Sequence, residues 1–318
     1  MKAVFGPIPS RRLGQSLGID PIPLKTCNWN CVYCQLGRSR PLTNERREYV
    51  DPNLVISQVH AALEAHAPGE IDWLTFVGSG EPTLNSSLGS MIRQVKAISG
   101  IPVAVITNGA LLYMPEVQQD LMGADAVLPS LDAGTPNLYK KINRPHPHVP
   151  FEKFVEGMIA FKQSYQGRLW VEIMMVHGLN DTEAALHELA AVILRIDPDE
   201  VHINQPIRPP AESWVQPADN EGLIRARAIL GDKARLFTFP EGDFDLGPYD
   251  DVVEAVLAII TRHPMRQIEL ERTLEKWGKE EVRQALRSLH ASGRAQNVER
   301  YGTQFWSSAT AYFPNGKN

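Results

Sequence analysis

All three cysteines of this 318-residue chain lie between positions 27 and 34, as Cys27, Cys31 and Cys34 in the spacing C-x3-C-x2-C. An odd number of thiols this close together does not make a disulfide framework. In a reducing compartment such clusters are metal ligands or redox groups. Thiolates are soft donors that suit zinc or iron–sulfur clusters. A structural zinc needs a closed shell of four protein ligands, so it would have to recruit a distant His or Asp. A 4Fe–4S cluster on three cysteines leaves one iron open to a substrate or cofactor. The thiols alone leave both readings standing.

Three further short motifs stand at comparable places in the chain. They are Gly78-Ser79-Gly80-Glu81-Pro82-Thr83, Ile106-Thr107-Asn108-Gly109 and Pro129-Ser130-Leu131-Asp132-Ala133. Taken singly, they read as a Gly-rich turn, an Asn-Gly turn and a helix N-cap. Glycines at a strand end also admit a ligand close to the backbone. Ser130 and Asp132 alternate around Leu131, so both can point the same way from a strand.

What gives these motifs meaning is the layout around them. Short apolar runs predict strands at Ser16–Ile22, Trp73–Val77, Val103–Thr107, Ala126–Leu131, Leu169–Val176 and Val201–Asn204. They are nearly continuous in apolar residues, as strands covered on both faces would be. Between them lie helical patterns at Asn53–Ala65, Leu88–Ile98, Val117–Met122, Phe151–Ser164, Thr182–Arg195 and Asp219–Leu230. Strand and helix in alternation imply a parallel sheet with crossover helices. Six such units predict an α/β fold, a partial (βα)6 TIM-like barrel open on one side with mainly apolar staves. In that architecture the chemistry sits at the carboxyl ends of the strands, and each motif follows a strand there.

The tail is different. After the stretch Pro240–Asp250, three helical patterns (Asp251–Arg262, Ile268–Trp277, Lys279–Ser292) precede a hairpin of Ala295–Arg300 and Thr303–Ala309 turning at Tyr301–Gly302. This order predicts a winged helix. The chain therefore divides into residues 1–240, the barrel, and 241–318, a small winged-helix-like domain.

Composition sets outer limits. The residues are 43 % hydrophobic and 22 % charged, with a net charge of −5, which gives no global reason to expect nucleic-acid binding. From Asp251 onward ten Lys/Arg face eight Asp/Glu, a weak balance for a duplex binder. No apolar run is long enough to span a bilayer, and the N-terminus lacks an apolar segment of signal-peptide length. A cytoplasmic protein with no membrane partner is expected.

C-x3-C-x2-aromatic-C after a first strand, followed by the other three motifs in order, resembles the radical S-adenosylmethionine (radical SAM) superfamily. The likeness covers about Phe5 to Pro210. It implies that Cys27, Cys31 and Cys34 hold a 4Fe–4S cluster and that S-adenosylmethionine binds its open iron. Tyr33 would pack over the adenine. GSGEP looks like the family's GGEP element, whose backbone at Gly80 and acidic Glu81 would take the methionine ammonium. Thr107 and Asn108 would face the cofactor. Ser130 and Asp132 would meet its ribose or carboxylate. Met174 or Val176 would line the adenine on the family's pattern, but a plain core role ranks higher for both. The implied reaction is reductive cleavage of the sulfonium to methionine and a 5′-deoxyadenosyl radical, which takes a hydrogen atom from the substrate. The electron comes from an external donor of flavodoxin or ferredoxin type.

The leader FGPIPSRRLGQSLGIDPIPLKTCNWNCVYCQLG, with INRPH (Ile142–His146) and QPIRPPAE (Gln205–Glu212), resembles a narrower group, the wyosine-synthase-like Fe–S oxidoreductases. Wyosine enzymes carry further cysteines for a second cluster, and this sequence has none. The group likeness therefore carries over but its substrate does not; a modified RNA base is the leading expectation, with a peptide or small metabolite as the alternative. Arg11, Arg12, Lys140, Lys141, Arg144, Arg208, His146 and His148 are candidates to clamp a phosphate or carboxylate. A different class of protein also fits the tail: an iron–sulfur sensor reading DNA through the third helix, with Lys279, Arg283 and Arg287.

Overall fold

The computed structural model describes residues 2–10, 12–237 and 249–314. Eight strands form one sheet in sequential order: β1 (Val4–Ser10), β2 (Gly14–Ile19), β3 (Trp73–Val77), β4 (Val103–Thr107), β5 (Ala126–Pro129), β6 (Arg168–Met174), β7 (Glu200–Asn204) and β8 (Ala234–Leu236). β1 and β2 are an antiparallel hairpin; every later pair is parallel. β1 and β8 do not pair, so the barrel stays open.

The helices are α1 (Pro52–Glu64), α2 (Leu88–Ile98), α3 (Pro115–Leu121), α4 (Pro136–Ile142), α5 (Phe151–Ser164), α6 (Glu183–Ile196) and α7 (Asn220–Leu230). Right-handed crossovers that always step to the next strand put all helices on one face. The large core accordingly joins one strand face (Leu17, Leu74, Phe76, Val105, Val127, Val171, Ile203) to helix residues such as Val59, Ile92, Phe154 and Leu189.

The opposite strand face lines the barrel. Its apolar part is small: Leu13, Trp73, Ala104, Ile106, Ala126, Leu128 and Trp170. Above it the expected apolar staves give way to polar ones. Ser16 and Thr75 hydrogen-bond at 2.6 Å, and Arg12 pairs with Glu172 at 2.6 Å. Glu172 lies opposite His202 in the β6–β7 register, and Met174 opposite Asn204. Arg12 Nε, His202 Nδ1 and Asn204 Oδ1 are buried with no hydrogen-bond partner.

Beyond the barrel come α8 (Val252–Arg262), α9 (Gln267–Thr273), a 3₁₀ turn at Glu275–Trp277, α10 (Lys279–Ala291), β9 (Ala295–Arg300) and β10 (Thr303–Ser308). β9 and β10 form a two-stranded antiparallel sheet. This segment has its own apolar core of Val256, Ile260, Leu270, Leu274, Val282, Leu286 and Leu289. Much of the expected linker at Pro240–Asp250 lies outside the described residues. Among the described residues no helix is long and apolar enough to cross a membrane.

Candidate active site at the carboxyl ends of the strands

The three cysteines sit on the loop that leaves β2. Two features hold that loop. Trp29, 2 % exposed, drives into the core and meets Tyr139 and Phe154 edge-on, at centroid distances of 5.4 and 5.3 Å. The INRPH segment then binds the loop's backbone. Asn30 N donates to Asn143 O, Val32 N to Ile142 O, and His146 N to Asn28 O, at 3.0, 2.9 and 2.8 Å.

The Gly-rich loop after β3 is zipped to the same segment. Lys25 N donates to Ser79 O at 2.7 Å and Glu81 N to Thr26 O at 2.9 Å. A Cβ on Gly80 would lie 2.0 Å from Thr26 O. Close approach of the two loops therefore demands glycine at position 80, a reason the sequence reading did not supply.

Glu81 is 1 % exposed and collects four donors. Its Oε1 accepts from Thr83 N at 3.0 Å and from the hydroxyls of Thr83 and Thr107 at 2.6 Å each; its Oε2 accepts from Asn108 N at 2.7 Å. The carboxylate so ties the end of β3 to the end of β4. Burial pushes its pKa up against these hydrogen bonds.

Asp132, after β5, is a second hub. Oδ1 accepts from Met174 N at 2.8 Å; Oδ2 accepts from the Tyr33 hydroxyl at 2.5 Å and Asn143 Nδ2 at 2.6 Å. Burial pushes its pKa up to about 6. Ser130 stands beside Glu172 in an isolated parallel bridge. Tyr33 packs among Val32, Leu138, Ile142, Val176 and Leu179.

Each cysteine sulfur accepts at least one N–H. Trp29 N lies 3.4 Å from Cys27 Sγ, with Asn108 Nδ2 at 3.8 Å; Asn143 Nδ2 lies 3.7 Å from Cys31 Sγ; Lys25 Nζ lies 3.2 Å from Cys34 Sγ. Such donors suit sulfurs that carry negative charge. Left metal-free, Cys27 and Cys31 would not carry it: burial pushes the Cys27 thiol up to about 12 and the Cys31 thiol far above its usual range. A cationic metal reverses that preference. A single tetrahedral ion would need its ligands gathered within about 2.3 Å of one point. Among the described residues no group of three or more His, Cys, Asp or Glu is so arranged. A cluster makes no such demand, because each thiolate meets its own iron. The donor set fits a 4Fe–4S cluster.

The structure thus brings Cys27, Cys31, Cys34, Tyr33, Gly80, Glu81, Thr107, Asn108, Ser130 and Asp132 to one end of the barrel. It does not assemble the expected anion clamp. Arg12 pairs with Glu172 inside the barrel. Arg144 is held at 2.5 Å by buried Glu212, which also takes Arg38 at 2.6 Å. Arg208 donates to Pro264 O at 2.9 Å. Arg11 lies outside the described residues. Only Lys140, Lys141 and the His146/His148 pair, rings 4.8 Å apart, keep solvent-facing positions. Sequence reasoning missed Lys25 and Asn143, which meet cysteine sulfurs, Asn28, whose Oδ1 accepts from Asn108 Nδ2 at 2.7 Å, and Asp20, which accepts from Ser79 N and Oγ. INRPH stands out in the sequence as a motif, but nothing in it marks Asn143 as a partner of Cys31.

Fold and site together define an α/β barrel whose three-cysteine loop fits an iron–sulfur cluster. The Radical SAM superfamily model matches residues 22–190, and the chain belongs to the radical SAM superfamily. Members of this superfamily use a 4Fe–4S cluster and S-adenosylmethionine, and membership indicates an enzyme. Its curated relatives include a UPF0026 protein of Methanocaldococcus jannaschii, 37 % identical over 281 residues and 87 % of each chain. A Brachyspira hyodysenteriae protein named GTPase Obg is 39 % identical over 226 residues, 71 % of this chain but 33 % of that one. Among solved structures, a radical SAM methyltransferase from Sphaerobacter thermophilus aligns with a TM-score of 0.53 at 16 % identity, over 70 % of this chain and 66 % of that one. The protein anSMEcpe with bound AdoMet aligns with a TM-score of 0.52 at 16 % identity, over 79 % and 70 %. At such identities these two structures bear on the fold alone.

Proposed function

We propose that Cys27, Cys31 and Cys34 hold the cluster and that the loops bearing Gly80–Glu81, Thr107–Asn108 and Ser130–Asp132, with Tyr33, form the S-adenosylmethionine site. The observation that carries this reading is the ring of N–H donors on the cysteine sulfurs, set directly against those loops. When bound and reduced by an external one-electron donor, the cluster supplies the electron that splits the cofactor into methionine and a hydrogen-abstracting 5′-deoxyadenosyl radical. The chain's own residues bind and orient. Glu81 and Asp132 lock the strand-end loops in one arrangement, and apolar groups around Tyr33 keep water from the radical's path.

We propose an RNA base, held in the barrel lumen, as the substrate. Arg12 Nε and Asn204 Oδ1, unpartnered and buried, offer one donor and one acceptor to a heterocycle edge. Exposed Lys140 and Lys141, with His146 and His148 just beyond, offer cations to the attached phosphates. Residues 241–318 are read as a winged-helix-like domain. A DNA-reading role for it is disfavoured by α10 itself: Arg283 and Arg287 are engaged by Glu271 and Glu280 at 2.8 Å each. The test is anaerobic incubation of reconstituted, dithionite-reduced protein with S-adenosylmethionine. Release of 5′-deoxyadenosine, stimulated by added RNA, is expected; tight duplex-DNA binding with no such release would favour the sensor.

A further inference from the structure

We infer that the segment beyond Tyr249 is part of the cofactor site, with Arg262 as a positioning residue that acts on the cysteine loop. This rests on the reading of Cys34 as a cluster ligand. Arg262 ends α8, yet it closes a ring of contacts that runs through the site. Its Nε pairs with Asp20 Oδ2 at 3.3 Å. Asp20, 2 % exposed at the end of β2, accepts from Ser79 Oγ at 2.6 Å and Ser79 N at 3.1 Å. Ser79 O accepts from Lys25 N at 2.7 Å. The Lys25 ammonium donates to Cys34 Sγ at 3.2 Å and to Gly37 O at 2.6 Å. The next residue after Cys34 returns to the start: Gln35 Nε2 donates to Arg262 O at 2.8 Å.

A second attachment comes from the far end of the same segment. Arg38 N donates to Tyr312 O at 2.8 Å, and the Arg40 guanidinium lies 3.8 Å from the centre of the Tyr312 ring. Gly37 has φ +73, and a Cβ there would come within 2.2 Å of Tyr312 O. The loop following Cys34 is therefore clasped from both ends of a segment that contributes no cysteine.

The consequence is electrostatic. Reduction brings one electron from the external donor and breaks no bond, so the cluster becomes more negative. A fixed ammonium beside one of its sulfurs favours that state. Displacing Lys25 by loosening the ring makes reduction harder and moves the midpoint potential to more negative values. The loops that receive S-adenosylmethionine shift with it, because Ser79 and Glu81 belong to one of them.

The experiment uses the full chain, anaerobically reconstituted, with an EPR-monitored redox titration and S-adenosylmethionine binding as readouts. Arg262→Gln is expected to keep its iron content, shift the midpoint potential negative and weaken S-adenosylmethionine several-fold. Arg262→Lys is expected to restore most of both. Arg283→Gln, which breaks only a pair within the segment, is expected to match the wild type. Wild-type potential and affinity in Arg262→Gln would overturn the inference. Should that variant not hold iron, Gln35→Ala decides: a negative shift supports the ring and an unchanged potential overturns it. A wild-type protein that takes up no cluster would instead sink the proposed function, a separate outcome.

Discussion

The Tyr33 hydroxyl donates to Oδ2 of Asp132 at 2.5 Å, which joins the residue before the third cysteine to the end of the fifth strand. The same carboxylate holds the end of β6 and, through Asn143, reaches Cys31. One buried acid thus organises loops from three strands. Its cost is visible in its titration.

Asp132 has its folded pKa raised from 3.8 to about 6 by burial. The folded state therefore holds this proton more tightly than the unfolded chain. Stability from this group is fully present below pH ~4 and lost as the pH rises through ~6. The loss amounts to about 2–3 kcal/mol. Thermal melts of the metal-free protein across this range should show the decline, and Asp132→Asn should flatten it. A wild-type profile that rises with pH over the same window, with Asp132→Asn matching it, would refute this.

Glu81 serves four donors, so its removal strands the buried hydroxyls of Thr83 and Thr107 and the N–H of Asn108. Glu81→Ala should destabilise by about 2–4 kcal/mol in denaturant titration, with S-adenosylmethionine affinity falling in parallel. A variant of wild-type stability and affinity would show that the carboxylate joins nothing.

Trp29 ligates no metal, but it seats the cysteine loop on Tyr139 and Phe154. Trp29→Ala should cost about 3–5 kcal/mol and lower the iron bound per chain after reconstitution. Full iron content with an intact melt would show that the loop is held otherwise.

Each of Cys27→Ala, Cys31→Ala and Cys34→Ala should lose the brown chromophore. A complete cluster in any one of them would reveal a different ligand set.

Much of this was legible in the sequence because its signals are local. The helices Leu88–Ile98 and Phe151–Ser164 lie where their apolar stripes place them, and each motif follows its strand because parallel strands all end on one side. Three elements escaped. β1 reads VFGPIPS, and its glycine and two prolines look like a turn, yet an edge strand tolerates proline. β8 is three residues long. α4 did carry a signal, Thr135 capping a helix with proline in its first turn. The polar lumen was hidden because Glu172 and His202 interrupt apolar runs without breaking them. The contacts that complete the site are hidden for another reason: Asn143 meets Cys31 across 112 residues and Arg262 meets Asp20 across 242. No periodicity or spacing rule spans such distances, whereas packing does.

Whether one iron is left open for the cofactor can be measured directly by Mössbauer spectroscopy of protein reconstituted anaerobically with ⁵⁷Fe. Addition of S-adenosylmethionine should change the isomer shift of one iron of the cluster and leave the other three as they were. Identical spectra with and without the cofactor, or a protein that binds zinc in place of iron, would contradict an open site on Cys27, Cys31 and Cys34.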